Sequence, residues 1–171
     1  VGIVGSNLSG IVAHCLIFDC GIGVELIASN QVYRNTIYNV VTGVYLNDSN
    51  GSLIIAENII YTASAYGIGG INAAAPILNN NAMGNLTSGR IDTGNLGSVF
   101  DEKNVVTLTG DPFTDAASED FTLNDTAGAG ALCRNASQLW GGDGDLGAVR
   151  HTDPAAGGLL THPGMGGGMR G

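Results

Sequence analysis

The feature that most restricts this chain is a cycle of about 22 residues that recurs through its first half. Ile11-x-x-His14-x-Leu16 is followed by Val32-x-x-Asn35-x-Ile37, Ile55-x-x-Asn58-x-Ile60 and Ile77-x-x-Asn80-x-Ala82, at offsets of 21, 23 and 22 residues. A second signature falls in the same cycle: Gly23-Val24-x-Leu26, Gly43-Val44-x-Leu46 and Gly67-Ile68-x-Gly70. Each cycle holds short β-branched runs separated by Asn, Gly, Ser and Asp, which is strand chemistry punctuated by turn chemistry. The spacing never shifts to the 3.6-residue period of a helix. The pattern predicts an all-β solenoid, one coil per cycle.

A single coil cannot bury its apolar face. Coils stacked about 4.8 Å apart pair their backbones in parallel and align equivalent side chains in columns. The repeat predicts two inward columns, Ile11–Val32–Ile55–Ile77 and Leu16–Ile37–Ile60–Ala82. It predicts a ladder of His14, Asn35, Asn58 and Asn80, in which each amide donates to one neighbouring coil and accepts from the other. His14 is expected there as a structural donor. Three residues beyond the ladder, Ile17, Tyr38, Tyr61 and Met83 are expected to form an outward apolar and aromatic stripe. Such a stripe either receives sugar rings or a partner, or lies under the tail or another loop of the same chain.

Composition narrows the function. Of 171 residues only 12% are charged and lysine occurs once, which excludes a charge-rich disordered chain and a charged coiled coil. A net charge of −9 with six Lys and Arg residues in all argues against a nucleic-acid partner. No apolar run approaches the roughly 18 residues of a membrane span.

The I-x-x-N-x-I and G-[IV]-x-L cycle resembles the right-handed parallel β-helix repeats of the pectin-lyase-like superfamily. Gly110-Asp111-Pro112-Phe113-Thr114-Asp115, Asp120-Phe121-Thr122-Leu123 and Asp145-Leu146-Gly147-Ala148 resemble the C-terminal tails of its secreted bacterial members. Where that tail usually reads Ser-Pro-Ala, this chain has Thr126-Ala127-Gly128-Ala129. The resemblance implies a right-handed parallel β-helix over 1–149, with repeat coils at 1–85, a loop at 86–104 and closing strands at 105–149. Residues 150–171 form a Gly/Pro-rich tail. The likeness also implies a secreted or cell-surface protein. It leaves the activity open, because the superfamily holds enzymes, adhesins and structural proteins.

Few residues offer catalytic chemistry. Lyase action on polyuronates needs basic residues facing a groove to hold carboxylates. Arg34 precedes ladder residue Asn35, and Glu57 holds the same place in the next coil, so the two are expected to form a cross-coil ion pair. Glycoside hydrolysis needs two carboxyl groups across a bond, and Asp19, Glu25, Asp48 and Glu57 share no column. Asp143-Gly144-Asp145 offers oxygens to calcium but reads first as a turn. Cys15, Cys20 and Cys133 fit no zinc spacing; a Cys15–Cys20 disulfide is one reading and buried free thiols the other. Six Asn-x-Ser/Thr sequons begin at Asn7, Asn47, Asn50, Asn85, Asn124 and Asn135.

Three functions therefore compete. The first is a secreted, non-enzymatic solenoid that assembles with itself or with a surface. The second is the C-terminal part of a polysaccharide lyase or glycoside hydrolase. The third is a carbohydrate-binding module using the Tyr38/Tyr61 stripe. The chain opens within strand sequence, without an initiator Met or a signal peptide, and reads as a processed chain or a piece of a longer one. A parallel solenoid ends in an open strand edge. Val1, Ile3 and Val4 at one end, and Leu159, Leu160, Met165 and Met169 of the tail, are the residues expected to join copies head to tail into a filament. No cofactor is expected.

Overall fold

The structure, a computed structural model, describes residues 2–5, 10–27, 30–47, 53–71, 76–96, 101–137 and 144–149. It is a parallel β-solenoid of about four turns, with a coil of roughly 23 residues and almost no helix. The first strands are β1 (Ile3–Gly5), β2 (Gly10–Ala13) and the long β3 (Leu16–Leu26). The next turn is β4 (Asn30–Tyr33) and β5 (Thr36–Asn47). In the third turn the long strand divides, giving β6 (Ile54–Ala56), β7 (Ile59–Ala63) and β8 (Tyr66–Ile71). The fourth repeats this as β9 (Ile77–Asn79), β10 (Ala82–Leu86) and β11 (Gly89–Ile91). Two edge strands, β12 (Asp101–Lys103) and β13 (Val106–Leu108), follow. Thus the stretch 86–104, read from sequence as a loop, contains β11 and β12.

The strands stack into three faces. One is the sheet β2-β4-β6-β9-β12. The second comprises the first halves of β3 and β5 with β7, β10 and β13. The third comprises β1, the second halves of β3 and β5, β8 and β11. All these pairings are parallel.

The register corrects the predicted columns in the first and fourth coils. Val12, Val32, Ile55 and Leu78 are aligned and buried. Ile11 and Ile77 face outward, at 63% and 38% exposure. On the second face, Ile17, Ile37, Ile60 and Met83 form the inward column. Leu16 and Ala82 fall in the outward column with Thr36 and Ile59. Because side chains alternate along a strand, a slip of one residue exchanges inside for outside. Ile11-Val12 and Ile77-Leu78 are both apolar pairs, so hydrophobicity does not distinguish the two registers.

The glycine signature has a steric cause. A Cβ on Gly23 would lie 2.5 Å from the Gly43 carbonyl oxygen and 2.7 Å from Ile37 Cγ2. A Cβ on Gly43 would meet the Gly67 carbonyl oxygen at 2.5 Å and Ile60 Cγ2 at 2.6 Å. The bare backbone lets the third face close against the Ile37–Ile60 column. It also positions Val24, Val44 and Ile68 as that face's buried column.

Beyond β13 the chain turns back along the outside of the second face. An antiparallel hairpin, β14 (Phe113–Asp115) and β15 (Asp120–Leu123), is followed by one helical turn, α1 (Gly130–Cys133). Phe113, Phe121, Leu123, Cys133 and Leu146 pack with Ile59, Tyr61, Ala82 and Leu108 as a second apolar core outside the coils.

Candidate functional site

Two corners of the solenoid carry polar columns. At the corner between the first and second faces, the ladder is Cys15–Asn35–Asn58–Asn81, with successive residues 20, 23 and 23 apart. The Asn35 side-chain oxygen accepts the Cys15 N–H at 3.0 Å, and that of Asn58 accepts the Asn35 N–H at 3.0 Å. The Asn81 oxygen accepts the Asn58 N–H at 3.1 Å. The Asn58 amide donates to Val32 O and Ala56 O. Asn35, Asn58 and Asn81 are fully buried. The expectation for His14 and Asn80 is corrected. Both sit one position earlier, in the column His14–Arg34–Glu57–Asn80–Asn104, where every φ lies between 52° and 56°. Such left-handed backbone turns the chain from one face to the next and directs these side chains away from the core. His14 is exposed, with its ring edge-on to Tyr33 at 6.0 Å. Asn80 instead donates its amide to Ala136 O in the C-terminal segment.

Arg34 and Glu57, stacked in that column, form the expected ion pair: Arg34 Nε donates to Glu57 Oε2 at 2.8 Å. The pair is completed from far along the chain. Ser137 Oγ donates to Glu57 Oε2 at 2.8 Å and accepts from Arg34 Nη2. Glu57 is fully buried and the Arg34 side chain only 14% exposed. Gly147 N donates to Glu57 O, and Ala148 N to Thr36 Oγ1 at 3.0 Å. Gly147 sits at φ +80°, where a Cβ would lie 2.6 Å from Thr36 Oγ1. The Asp145-Leu146-Gly147-Ala148 motif is therefore a close backbone seal over the corner.

The predicted stripe is not a free surface. Ile17 and Met83 belong to the buried inward column, for the reason of register given above. The outward column is Phe18–Tyr38–Tyr61. Phe113 and Phe121 cover it: Tyr38 meets their rings at 5.8 and 5.5 Å, and Phe18 lies 5.3 Å from Phe121. Burial, reinforced by the charge of Asp111, raises the pKa of both Tyr38 and Tyr61. Burial, with Asp145 nearby, pushes the Cys133 thiol up to about 12.

Other candidates fall as follows. Cys15, Cys20 and Cys133 are free thiols. The Cys15 thiol donates to Ala13 O at 3.3 Å and the Cys20 thiol to Ile22 O at 3.2 Å, so the two are not joined to each other. Asp145 Oδ1 accepts the Asn135 N–H at 3.0 Å. Ile3 packs against the core, while Val4 is 51% exposed. Val1, Asp143, Leu159, Leu160, Met165 and Met169 lie outside the described residues.

The second polar corner escaped the sequence reading. Asp19, Asn39, Thr62 and Asn85 are aligned where the second face bends into the third, with φ of 53°, 50°, 60° and 51°. Asn39 donates to Asp19 at 2.6 Å and Asn85 to Thr62 Oγ1 at 2.9 Å. These residues line an open trough of about 600 Å³ together with Cys20, Val40 and Ala63. The signal was present in the sequence, since these turn-forming residues recur at offsets of 20 and 23. No family model, curated protein or solved structure matches the chain.

Proposed function

We propose that this is a non-catalytic β-solenoid that associates with its own kind through its N-terminal coil. The observation that carries this reading is a contrast between its two ends. At the C-terminal edge of the first face, Glu102 and Lys103 of β12 are exposed and Glu102 pairs with Arg90 at 2.7 Å. Charge on an edge strand is the usual protection against further pairing. At the other end, among the described residues, β2 is the last strand of its sheet and β1 extends the third face. Beside the Leu16–Cys20 stretch lies a depression of about 500 Å³ lined by Gly2, Ile3, Cys15, Leu16, Ile17, Phe18 and Cys20, with no charged side chain among them.

Sequestration of Arg34 also favours the structural reading. Held by Glu57 and Ser137, it is poorly placed to grip an anionic polymer. The charged C-terminal edge favours a two-fold pairing of N-terminal ends, which closes at two, over an open head-to-tail fibre. The likeness of the 110–148 motifs to pectin-lyase-like tails supports an extracellular setting.

Light scattering on chain 1–171 at micromolar concentration tests the reading. A dimer that Leu16→Glu converts to monomer is the expected result. A monodisperse wild-type monomer overturns it, and long polymers restore the head-to-tail filament.

A further inference from the structure

The geometry points to the Asp19–Asn39–Thr62–Asn85 trough as a binding site for a linear aliphatic polyamine in its ammonium form. The site follows from the coil repeat. Each coil places one polar side chain in this column, so oxygen atoms recur at intervals of about 4.8 Å, close to the roughly 5 Å between two ammonium groups joined by three methylenes. Asp19 supplies a carboxylate. One of its oxygens accepts the Asn39 amide at 2.6 Å, and the other has no hydrogen bond among the described residues. Asn39 and Asn85 each give one N–H to the stacked neighbour, at 2.6 and 2.9 Å, and their side-chain carbonyls have no donor among the described residues. Asp19 and both asparagines are exposed. Val40, Val41 and Ala63 line the same trough and offer apolar surface to methylene stems.

Three observations select this class of ligand. The first is charge. No Lys, Arg or His lines the trough, and Asp19 is its one charged residue. In a chain of net charge −9, a cation is drawn to such a groove and an anion is repelled. The same field reaches Tyr38 beside the column: burial first, then the charges of Asp111 and Asp19, raise the pKa of its hydroxyl. The second is the spread of the oxygens. A calcium ion needs about six to eight oxygens converging on one point. The trough has one carboxylate, and its other acceptors are distributed over the following coils, which suits a row of charges better than a point charge. An ammonium group is purely a donor, and a donor is what the Asp19, Asn39 and Asn85 oxygens lack. The third is order. The stacked hydrogen bonds hold the Asn39 and Asn85 amides before any ligand arrives, so less side-chain entropy is lost on binding. A volume of about 600 Å³ accommodates a triamine lying across successive coils.

The test is an amide-resolved NMR titration of the full chain with norspermidine, whose three nitrogens are joined by trimethylene spacers, and with trimethylenediamine and magnesium chloride at matched ionic strength. Saturable shifts with norspermidine, centred on Asn39, Val41, Ser64 and Asn85, are expected. Trimethylenediamine, which spans two coils only, is expected to bind more weakly. Asp19→Asn retains a residue suited to the left-handed backbone and the oxygen that accepts from Asn39, and removes only the charge. It is expected to weaken norspermidine binding by about tenfold or more, the worth of one hydrogen bond to a charged group. Gly21→Lys places a fixed ammonium beside the column, where an added Cβ meets no atom within 4 Å, and is expected to do the same. An unchanged thermal midpoint in either variant separates lost binding from lost fold. The proposal is overturned if norspermidine gives no saturable shifts, if the shifts map elsewhere, if magnesium reproduces them, or if a variant that keeps its thermal midpoint binds as well as wild type.

Discussion

Two adjacent asparagines show how much one position matters. Asn81 lies in the buried ladder, where its oxygen serves Asn58 and its amide donates to Ile55 O at 2.7 Å. Asn80, at φ 53°, turns its side chain to Ala136 O in the covering segment. Asn58, with a ladder asparagine on either side, is the most demanding site. Replacing it with Leu takes the amide donor from the Val32 carbonyl and one of two donors from the Ala56 carbonyl, which keeps the Arg34 N–H, and leaves the Asn35 N–H without its acceptor, all in a buried corner. Asn58→Leu is expected to cost about 1–3 kcal/mol for each group so stranded. Asn58→Ser, which retains a hydrogen-bonding oxygen, should cost less. Urea denaturation of both variants measures the difference, and equal midpoints for Asn58→Leu and wild type would remove Asn58 from the ladder.

The C-terminal segment, from the β14–β15 hairpin to Val149, is the element that sequence patterning described least well. The coils were legible because their alternation, glycines and asparagines repeat, and each occurrence checks the others. The covering segment occurs once, so a covered stripe was one reading, but the chain does not indicate that Phe113 and Phe121 close over Tyr38 or that Ser137 reaches Glu57. The ion pair of Arg34 and Glu57 was legible, but its third member was not. Likewise the ladder was visible as a pattern, while Asn79-Asn80-Asn81 gave three possible places for its fourth residue. The segment also has a distinct pH signature. The Cys133 thiol, raised to about 12, is neutral in the folded state well above the pH at which an unfolded thiol ionises, about 8.5. Its contribution is complete below about pH 8.5 and is lost as pH rises toward 12. The raised pKa values of Tyr38 and Tyr61 act in the same direction. Stability is therefore expected to fall on the alkaline side, and less steeply in Cys133→Ala than in wild type. Denaturant midpoints measured between pH 8 and 11 test this, and identical slopes would exclude Cys133 as a contributor.

For the whole molecule, the covering segment changes how a repeat protein should unfold. In a plain solenoid each coil contacts only its neighbours, so stability is a sum of local terms and the end coils fray independently. Here the segment leaves the last coil and returns across the others. Asn80 receives it through Ala136, Glu57 through Ser137 and Gly147, Thr36 through Ala148, and Phe18 through Phe121. These contacts link the fourth coil to the first without passing through the coils between. Opening the first coil then requires releasing the same segment that secures the third, so the turns are coupled into one cooperative unit. Full-length chain is expected to show a single transition, with amides of β2 and β7 exchanging through the same opening. Phe121→Ala removes a ring that touches Phe18, Tyr38 and Phe113, at a cost of about 3–5 kcal/mol. Its diagnostic effect is on cooperativity. In this variant the β2 amides should exchange well before those of β7, because the first coil has lost its long-range tie while the ladder and ion pair still hold the third. Native-state hydrogen exchange distinguishes the outcomes. A uniform loss of protection in β2 and β7 would mean that stacking between neighbouring coils, rather than the returning segment, makes the solenoid fold as one.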